Sequence, residues 1–290
     1  MDENITELIS KDQFELDLYE AAVHNLSDLS NKLRFNNFAY AMRELSRHVL
    51  HRLAPSEGVL KCSWYKNLTQ NENGITRVQR AIYATQGGLS DKFVRDTLNI
   101  DPSDAHRSLR DAIDRLSRFT HVEKEVFDLS ADTVDKLSGE ITSAFSGFAA
   151  VIRDCRSRII EGLEEAIHES TVSEVLSDSL PAVDEIATHF SLEEVYVDSA
   201  EVTDITHDTI HLLARGTLGV TLQWGSNSDI RRGEGAELAE SFPFTCALTC
   251  TINDDLSPED LEVLEDSLMV DTREWYGAED GEDEYGDQLT

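Results

Sequence analysis

The sequence predicts an α+β protein, in which a mainly helical N-terminal body precedes a small antiparallel β-sheet module and a C-terminal helix. Three observations predict this class. Up to about residue 190, apolar residues recur with the 3.6-residue period of amphipathic helices. From Val195 onward they alternate with polar residues, as in half-buried strands. Ser257-Pro258, followed by two acids, is then typical of a helix start.

These patterns divide the chain into four segments, which differ in period and charge. They are an N-terminal helix at 1–29, a helical domain at 30–190, an acidic β-rich module with its closing helix at 191–270, and an acidic disordered tail at 271–290. The tail is predicted because six of the nine residues at 279–287 are acidic, which disfavours a packed core.

The helices follow from apolar spacing and from the residues that begin and end them. One apolar stripe runs through the first segment, and a second helix is predicted from about Ser30 to Arg52, ended by Pro55. Ser90 is a predicted N-cap, and Pro102 follows an acid at the next helix start. The further predicted helices lie at 76–85, 92–98, 103–120, 130–169 and 173–190.

Three strands are predicted where the period changes from 3.6 to 2 residues. They lie at 195–205, 209–223 and 242–252, and the loop Gly225–Ser241 separates the last two. This pattern predicts a small antiparallel sheet, with one face covered by the helical body.

The net charge of −32 is distributed very unevenly. Residues 1–160 hold 21 basic and 24 acidic side chains, whereas residues 161–290 hold 4 and 33, a local net charge of −29. Such a half repels a nucleic-acid backbone, so nucleic acid can bind only at the N-terminal half. The acidic half is complementary to a basic surface on a protein partner. Alternatively, its charge only keeps the protein soluble.

Other features of the composition favour a cytoplasmic protein without a membrane segment. The N-terminus is acidic and unlike a secretory signal, and no apolar run approaches the roughly 20 residues of a membrane helix. The four cysteines form neither a disulfide framework nor a zinc motif. Cys246 and Cys250 are predicted to lie on one face of a strand as small buried side chains.

The sharpest candidate site is a basic cluster on the second predicted helix. Since Met42, Leu45 and Val49 form its buried stripe, the outward register of the polar residues follows. The residues that point outward include Arg43, Arg47, His48 and His51. Guanidinium and imidazole groups on one face can hold a phosphodiester and move a proton. The alternative interpretation is an exposed charged face with ion pairs along the helix.

A second cluster runs from Arg115 through Arg118 to His121, at the predicted end of a later helix. Arg43 to His48 and Arg115 to His121 each fit the loose spacing of the helical ribonucleases called HEPN domains, in which four to six residues separate the arginine from the histidine. In those enzymes the pair activates a ribose 2′-hydroxyl without a metal ion. Leu116 and Glu44 match poorly the polar residue that usually follows the arginine.

The third candidate is the glycine-rich segment after Trp224, interpreted as a loop. Its oxygen-bearing and basic side chains could bind a phosphate or a divalent ion, or its glycines could simply serve a turn. The candidate residues are Asn227, Asp229, Arg231, Arg232 and Glu234.

Three stretches resemble the predicted pPIWI-associating nucleases, bacterial proteins associated with PIWI-type modules in conflict with phage and mobile DNA. The stretches are 38–55, beginning Phe-Ala-Tyr-Ala-Met-Arg, 116–122, and 222–235 with 241–245. The resemblance covers about residues 30–255. It implies a role in defence and a nuclease-type activity, although the sequence has no evident PD-(D/E)xK constellation.

The leading hypothesis is therefore a nuclease or nuclease-like effector of bacterial defence that acts on RNA or DNA. A divalent metal would be needed only if the glycine-rich segment is the site. The main alternative is a non-catalytic acidic adaptor that binds a basic protein partner. A third is a structural dimer with the charged helix at its interface, since the sequence leaves the oligomeric state open.

Overall fold

The computed structural model describes residues 1–253 and 256–277, and it has the predicted α+β architecture. Helices occupy the described chain up to residue 184, and strands dominate after it. The helices are α1 Glu3–Ile9, α2 Gln13–Ser27, α3 Arg34–Leu53, α4 Ser56–Lys61, α5 Arg77–Gln86, α6 Asp91–Asp96, α7 Ser103–Ser117, α8 Ala131–Ser177, α9 Pro181–Asp184 and α10 Asn227–Arg232.

The strands form one antiparallel sheet, as the alternating pattern predicts. They are β1 His189–Ile205, β2 Thr209–Trp224, β3 Ala236–Thr251, β4 Leu261–Val263 and β5 Met269–Val270. The order across the sheet is β1-β2-β3-β4, and β5 also pairs with β3. The register places Leu248 opposite Val263 and Phe244 opposite Val270.

The chain divides into two compact units. The first consists of Met1–Gly162 and two short segments, one at Ile205–Thr209 and the other beginning at Ile252. The second consists of Leu163–Asp204, Ile210–Thr251 and the described residues from Leu256 onward. The division falls inside α8, whereas the sequence patterns placed a boundary near residue 190.

The first unit is built around α3. Its apolar stripe, with Met42 and Leu45 fully buried, meets side chains of α1, α2, α7 and the first half of α8. The predicted N-terminal helix is two helices, because the chain is interrupted around Lys11 and restarts with Asp12 as the N-cap of α2. The Arg34 guanidinium donates to the Leu26 carbonyl, which joins α3 to the end of α2.

Two glycines after α5 are required by close packing within the first unit. Gly87 has φ +55°, a conformation that side chains disfavour, and Gly88 donates its N–H to the Thr206 carbonyl at 2.8 Å. A Cβ on Gly88 would lie 1.9 Å from the carbonyl oxygen of His207. Any larger residue would therefore displace the turn at Ile205–Thr209.

In the second unit, one face of the sheet is buried against helices. The apolar residues of β2 and β3 pack on Val175 of α8 and Val183 of α9. Cys246 and Cys250 are both fully buried, which confirms the sequence prediction for them, and all four cysteines are free thiols. Burial raises the pKa of both thiols, that of Cys250 to about 11.

The helix predicted from 173 to 190 is wrong. Helix α8 continues without interruption through Ser173, and the Ser177 hydroxyl bonds back to the Ser173 carbonyl inside it. After the short α9, the strand β1 already begins at His189. Hydroxyl side chains are tolerated in a helix when they donate back to the preceding turn.

The predicted closing helix is also wrong. Ser257 and Pro258 begin only a single 3-10 turn, Pro258–Asp260. Leu261 and the residues after it then pair with β3, and the Leu261 side chain becomes buried. Pairing with an open strand and burial of an apolar side chain outweigh a favourable helix start.

The predicted disordered tail is partly ordered. Arg273–Tyr276 form a 3-10 turn, and the Trp275 ring stacks on Trp224 with the centroids 6.0 Å apart. Residues 278–290, which include the acidic run, lie outside the described residues. In the part of the chain that the structure describes, no helix has the length and hydropathy needed to cross a bilayer.

Candidate functional site on helix α3

Helix α3 presents the basic cluster in the register that the sequence predicts. Met42, Leu45 and Val49 are buried, so the polar positions between them turn away from the core. Arg43 and His48 are half-buried, whereas Arg47 and His51 are exposed. One stretch of a single helix thus carries two guanidiniums and two imidazoles within reach of solvent.

Arg47 connects the acidic and imidazole groups of this cluster. Its Nε donates to the Glu44 carboxylate at 2.9 Å, and its Nη2 lies 3.0 Å from Nε2 of His48. A guanidinium has only donors, so Nε2 of His48 must accept this hydrogen bond. His48 is therefore a neutral imidazole with its proton on Nδ1, and its basic lone pair points at Arg47.

The neighbouring helix α2 orients the His48 ring. The Phe14 ring contacts the imidazole edge-on with the centroids 4.9 Å apart. The geometry is that of a favourable aromatic pair, which limits the rotation of the imidazole. Arg43 differs from Arg47, because its guanidinium has no ion pair with any described residue.

Arg52 has a structural role and is not part of the basic cluster. Its guanidinium makes a bidentate contact with Glu15, with Nη2 at 2.6 Å from Oε2, and also donates to the Leu8 carbonyl. The Glu15 side chain is only 2% exposed, so this pair fixes α1 and α2 onto α3. The geometry is that of a charge-assisted fork, which tightly positions both partners.

The His51 imidazole favours its neutral form. Burial is the main cause that lowers its pKa, and the cations Arg80 and Arg47 and the neighbouring His48 lower it further. Arg80 itself is held by the Ala54 carbonyl and the Ser56 hydroxyl. The cluster therefore places the His48 and His51 imidazoles beside the cations Arg47 and Arg80.

The second predicted motif lies at the other end of α3. Asn36 in the first turns of α3 donates to the Phe119 carbonyl, so the segment with Arg118 and His121 lies beside that end. His48 is twelve residues further along α3, about 18 Å at 1.5 Å per residue. The structure does not bring Arg118 and His121 together with the basic cluster.

The glycine-rich segment is mostly helical, which corrects its interpretation as a loop. Ser226 and Asp229 form a reciprocal capping box, and Asn227–Arg232 form α10. Asp229 accepts from the Ser226 backbone and hydroxyl and from Arg232 at 2.5 Å, and these bonds lower its pKa. Arg232 also pairs with Glu234. The spacing Ser-x-x-Asp was the sequence signal for this cap.

Asn227 and Arg231, the other two candidate residues on α10, differ in their side-chain contacts. Asn227 accepts from the Gln223 side chain at 3.1 Å, while Arg231 has no ion pair with a described residue. Within residues 1–253 and 256–277, no cluster of three or more histidine, cysteine, aspartate or glutamate side chains has metal-binding geometry.

The sequence pattern assigns no role to His106, and the structure places it in a buried polar pair. Its Nε2 lies 2.9 Å from the Thr85 hydroxyl, which donates its own proton to the Ala81 carbonyl. The hydroxyl must then accept from His106, so Nε2 of this imidazole carries a proton. Burial lowers the pKa of His106 to about 4, although Asp91 and Asp101 oppose the shift.

His106 should make the protein less stable in acid. In the unfolded chain the His106 imidazole binds a proton below about pH 6.5, whereas in the native protein it binds one only below about pH 4. The free energy of unfolding therefore decreases as the pH falls from 6.5 to about 4. The loss should approach about 3 kcal/mol. Urea unfolding at several pH values measures it, and His106→Gln should remove this part of the slope. An unchanged slope in the variant would contradict the assignment.

Comparison with known proteins assigns both parts of the chain to one kind of protein. Residues 6–145 match a family model described as a predicted pPIWI-associating nuclease. Residues 152–276 match a second model with the same description. No curated protein and no solved structure matches significantly. The two matches span nearly the whole chain, and the protein therefore belongs to the predicted pPIWI-associating nucleases.

Proposed function

We propose that the protein is a nuclease effector of a bacterial system that acts against phage and mobile DNA, and that its α3 face cleaves RNA. The family description supports a nuclease that associates with a pPIWI partner. The observation that carries the choice of site is the contact between Arg47 and Nε2 of His48. It holds a neutral base next to cations that can receive a phosphodiester.

The chemistry follows from the groups on this face. The phosphate of the substrate binds Arg43 and Arg47, which draws the Arg47 guanidinium away from His48. Nε2 of His48 is then free to accept the proton of a ribose 2′-hydroxyl. The 2′-oxygen attacks phosphorus, the bond to the 5′-oxygen breaks, and water protonates that leaving group. The products are a 2′,3′-cyclic phosphate and a 5′-hydroxyl.

RNA is favoured over DNA because this mechanism takes its nucleophile from the substrate. DNA has no 2′-hydroxyl, so a site without a metal ion must activate an external water molecule as the nucleophile. Attack by external water is much slower than attack by a hydroxyl group that is already held next to the phosphorus. We therefore expect cleavage of single-stranded RNA in EDTA and no cleavage of DNA under the same conditions.

The test is a cleavage assay with purified full-length protein. Labelled RNA, single-stranded DNA and duplex DNA are incubated with EDTA, magnesium or manganese, and the RNA ends are analysed for 2′,3′-cyclic phosphate. Arg43→Ala and Arg47→Ala should each raise KM for RNA. Arg158→Ala is a matched control, since Arg158 is an exposed helical arginine paired with Glu161 three residues away.

Cleavage that requires a metal ion and is insensitive to both α3 arginine variants would contradict this site. It would return attention to Asp229 and Glu234, where Asp229→Ala is the corresponding variant. Because the Asp229 carboxylate already caps α10, that variant also needs a measurement of stability.

A second candidate function is an acidic adaptor that binds a basic protein partner. The charge of −29 on residues 161–290 favours it. In the described part of this half, three of the four arginines are already paired with acids, namely Arg215, Arg232 and Arg273. A partner complex that forms at low salt and dissociates as salt rises, together with no cleavage of any substrate, would favour the adaptor.

A further inference from the structure

A cavity of about 230 Å³ lies between α5, α6 and α7, away from the α3 cluster. Since about 10–15 Å³ suffices for one buried water, it has room for much more than a single solvent molecule. Its floor is largely buried and its rim is charged. Val78 and Ile82 of α5 provide an apolar wall one helical turn apart, and Val94 and Pro102 extend it.

Gln86 continues the α5 face into the floor of this cavity, one turn beyond Ile82. Its side-chain nitrogen donates to the Leu89 carbonyl at 2.8 Å and to the Asp91 carboxylate at 3.0 Å. Both partners are acceptors, so the amide cannot be flipped.

The side-chain oxygen of Gln86 is consequently a fixed acceptor. The residue is 1% exposed, and within the described chain this oxygen has no hydrogen-bond partner. A buried acceptor without a partner is costly, and a ligand that donates a hydrogen bond there removes the cost. The Asp91 carboxylate next to it adds a second acceptor. The floor is therefore complementary to a ligand with a flat apolar ring that carries N–H groups.

The charge of the rim favours binding of an anion. Three arginines line it, Arg95 from α6 and Arg107 and Arg110 from α7. Arg107 and Arg110 pair with Asp104 and Asp111, but all four side chains are largely exposed, and such pairs contribute little. Their guanidiniums can exchange these carboxylates for a phosphate, which accepts hydrogen bonds from both at once.

The beginning of α7 contributes to the same rim. Ser103 lies there in the first turn of a 15-residue helix, where the helix dipole favours a negative group. Asp101 reduces the positive charge and also provides an acceptor for hydroxyl groups. A ligand that satisfies the whole set has a flat base with N–H donors, sugar hydroxyls and a phosphate.

We propose that this cavity binds a nucleotide whose base carries an amino group. The base lies against Val78 and Ile82 and donates to Gln86, and its phosphate lies at Arg107 and Arg110. This chemistry is shared by a free nucleotide and by the phosphorylated end of a strand. The proposal does not depend on catalysis at α3, since none of the residues is shared.

Calorimetric titration of the full chain with AMP, GMP, CMP and UMP tests the base. UMP should bind at least about tenfold more weakly than the best of the others. Uracil has no amino group, and the carbonyl oxygens on both sides of its ring N–H would face the Gln86 oxygen and the Asp91 carboxylate, which are acceptors as well. Adenosine or guanosine, which lack the phosphate, should also bind at least about tenfold more weakly. No saturable binding of any nucleotide, or equal binding of UMP, would overturn the proposal.

Variants locate the binding in the cavity. Arg107→Ala and Arg110→Ala change exposed residues and should each weaken the binding of the nucleotide about tenfold or more. Arg158→Ala should not change it, although Arg158 forms the same kind of exposed pair three residues along a helix. Unchanged affinity in both cavity variants would overturn the assignment.

A short 5′-phosphorylated oligonucleotide distinguishes the two sources of the ligand. Competition between the oligonucleotide and the free nucleotide, lost in Arg107→Ala, would assign the cavity to a strand end. Binding of the nucleotide without such competition would assign it to a free nucleotide. Competition that persists unchanged in Arg107→Ala and Arg110→Ala would contradict a site in this cavity.

Discussion

Replacing His48 by alanine should lower kcat for RNA cleavage by about 10²–10⁴-fold, the range for loss of a positioned general base. The reason is specific to its geometry. Nε2 of His48 is unprotonated because it accepts from Arg47, and Phe14 limits the rotation of its ring. KM should change less than kcat, since Arg43 and Arg47 remain to bind the phosphate. Single-turnover cleavage in EDTA measures the effect.

Two controls separate catalysis from folding at this position. His168→Ala changes another exposed helical histidine and should leave kcat unchanged. His48→Gln keeps a hydrogen-bond acceptor for Arg47 but provides no base, so it should be as inactive as His48→Ala. If His48→Gln retained full activity in a protein that cleaves RNA, the role of His48 as the base would be wrong.

Arg52→Ala should lower the free energy of unfolding by about 3 kcal/mol. It leaves the carboxylate of Glu15, which is 2% exposed, without its bidentate partner. We expect the lower end of the usual range for breaking a buried pair, because Arg52 is itself 33% exposed. Urea unfolding of both proteins at neutral pH gives the difference.

The matched control is Arg47→Ala, which breaks an exposed ion pair on the same helix. Its loss should be within about 1 kcal/mol, as for other surface pairs. Glu15→Gln in the Arg52→Ala background should recover part of the stability, since it removes the uncompensated charge. A loss below about 1 kcal/mol in Arg52→Ala, or no recovery in the double variant, would show that the buried charge is not the cause.

The elements of the fold were predictable where local chemistry and packing agree. Thr76, Ser90 and Pro102 begin α5, α6 and α7 at or next to the positions that the sequence indicates. The strands keep their alternation because one face of the sheet is buried, and a shift by one residue would expose that face.

One error arises where a distant part of the chain competes with a local signal, and another where two local signals compete. Ser257-Pro258 is a good helix start, yet pairing of Leu261 with Cys250 draws the following residues into a strand. The glycines near Trp224 favour a loop, whereas the spacing of Ser226 and Asp229 favours a capping box, and the structure has the capping box. In the first case no local pattern carries the information, whereas in the second the spacing of two neighbouring residues carries it.

The sequence by itself determined the α+β class, the uneven charge and the outward face of α3, because these depend on period and composition along one segment. Only the tertiary structure decided which cations are committed: Arg52 to the buried Glu15, and Arg47 to the lone pair of His48. It also separated Arg118 and His121 from that face and placed Gln86 and three arginines in the lining of one cavity. Such relations depend on distances between residues remote in the chain, and hydrophobic periodicity does not encode them.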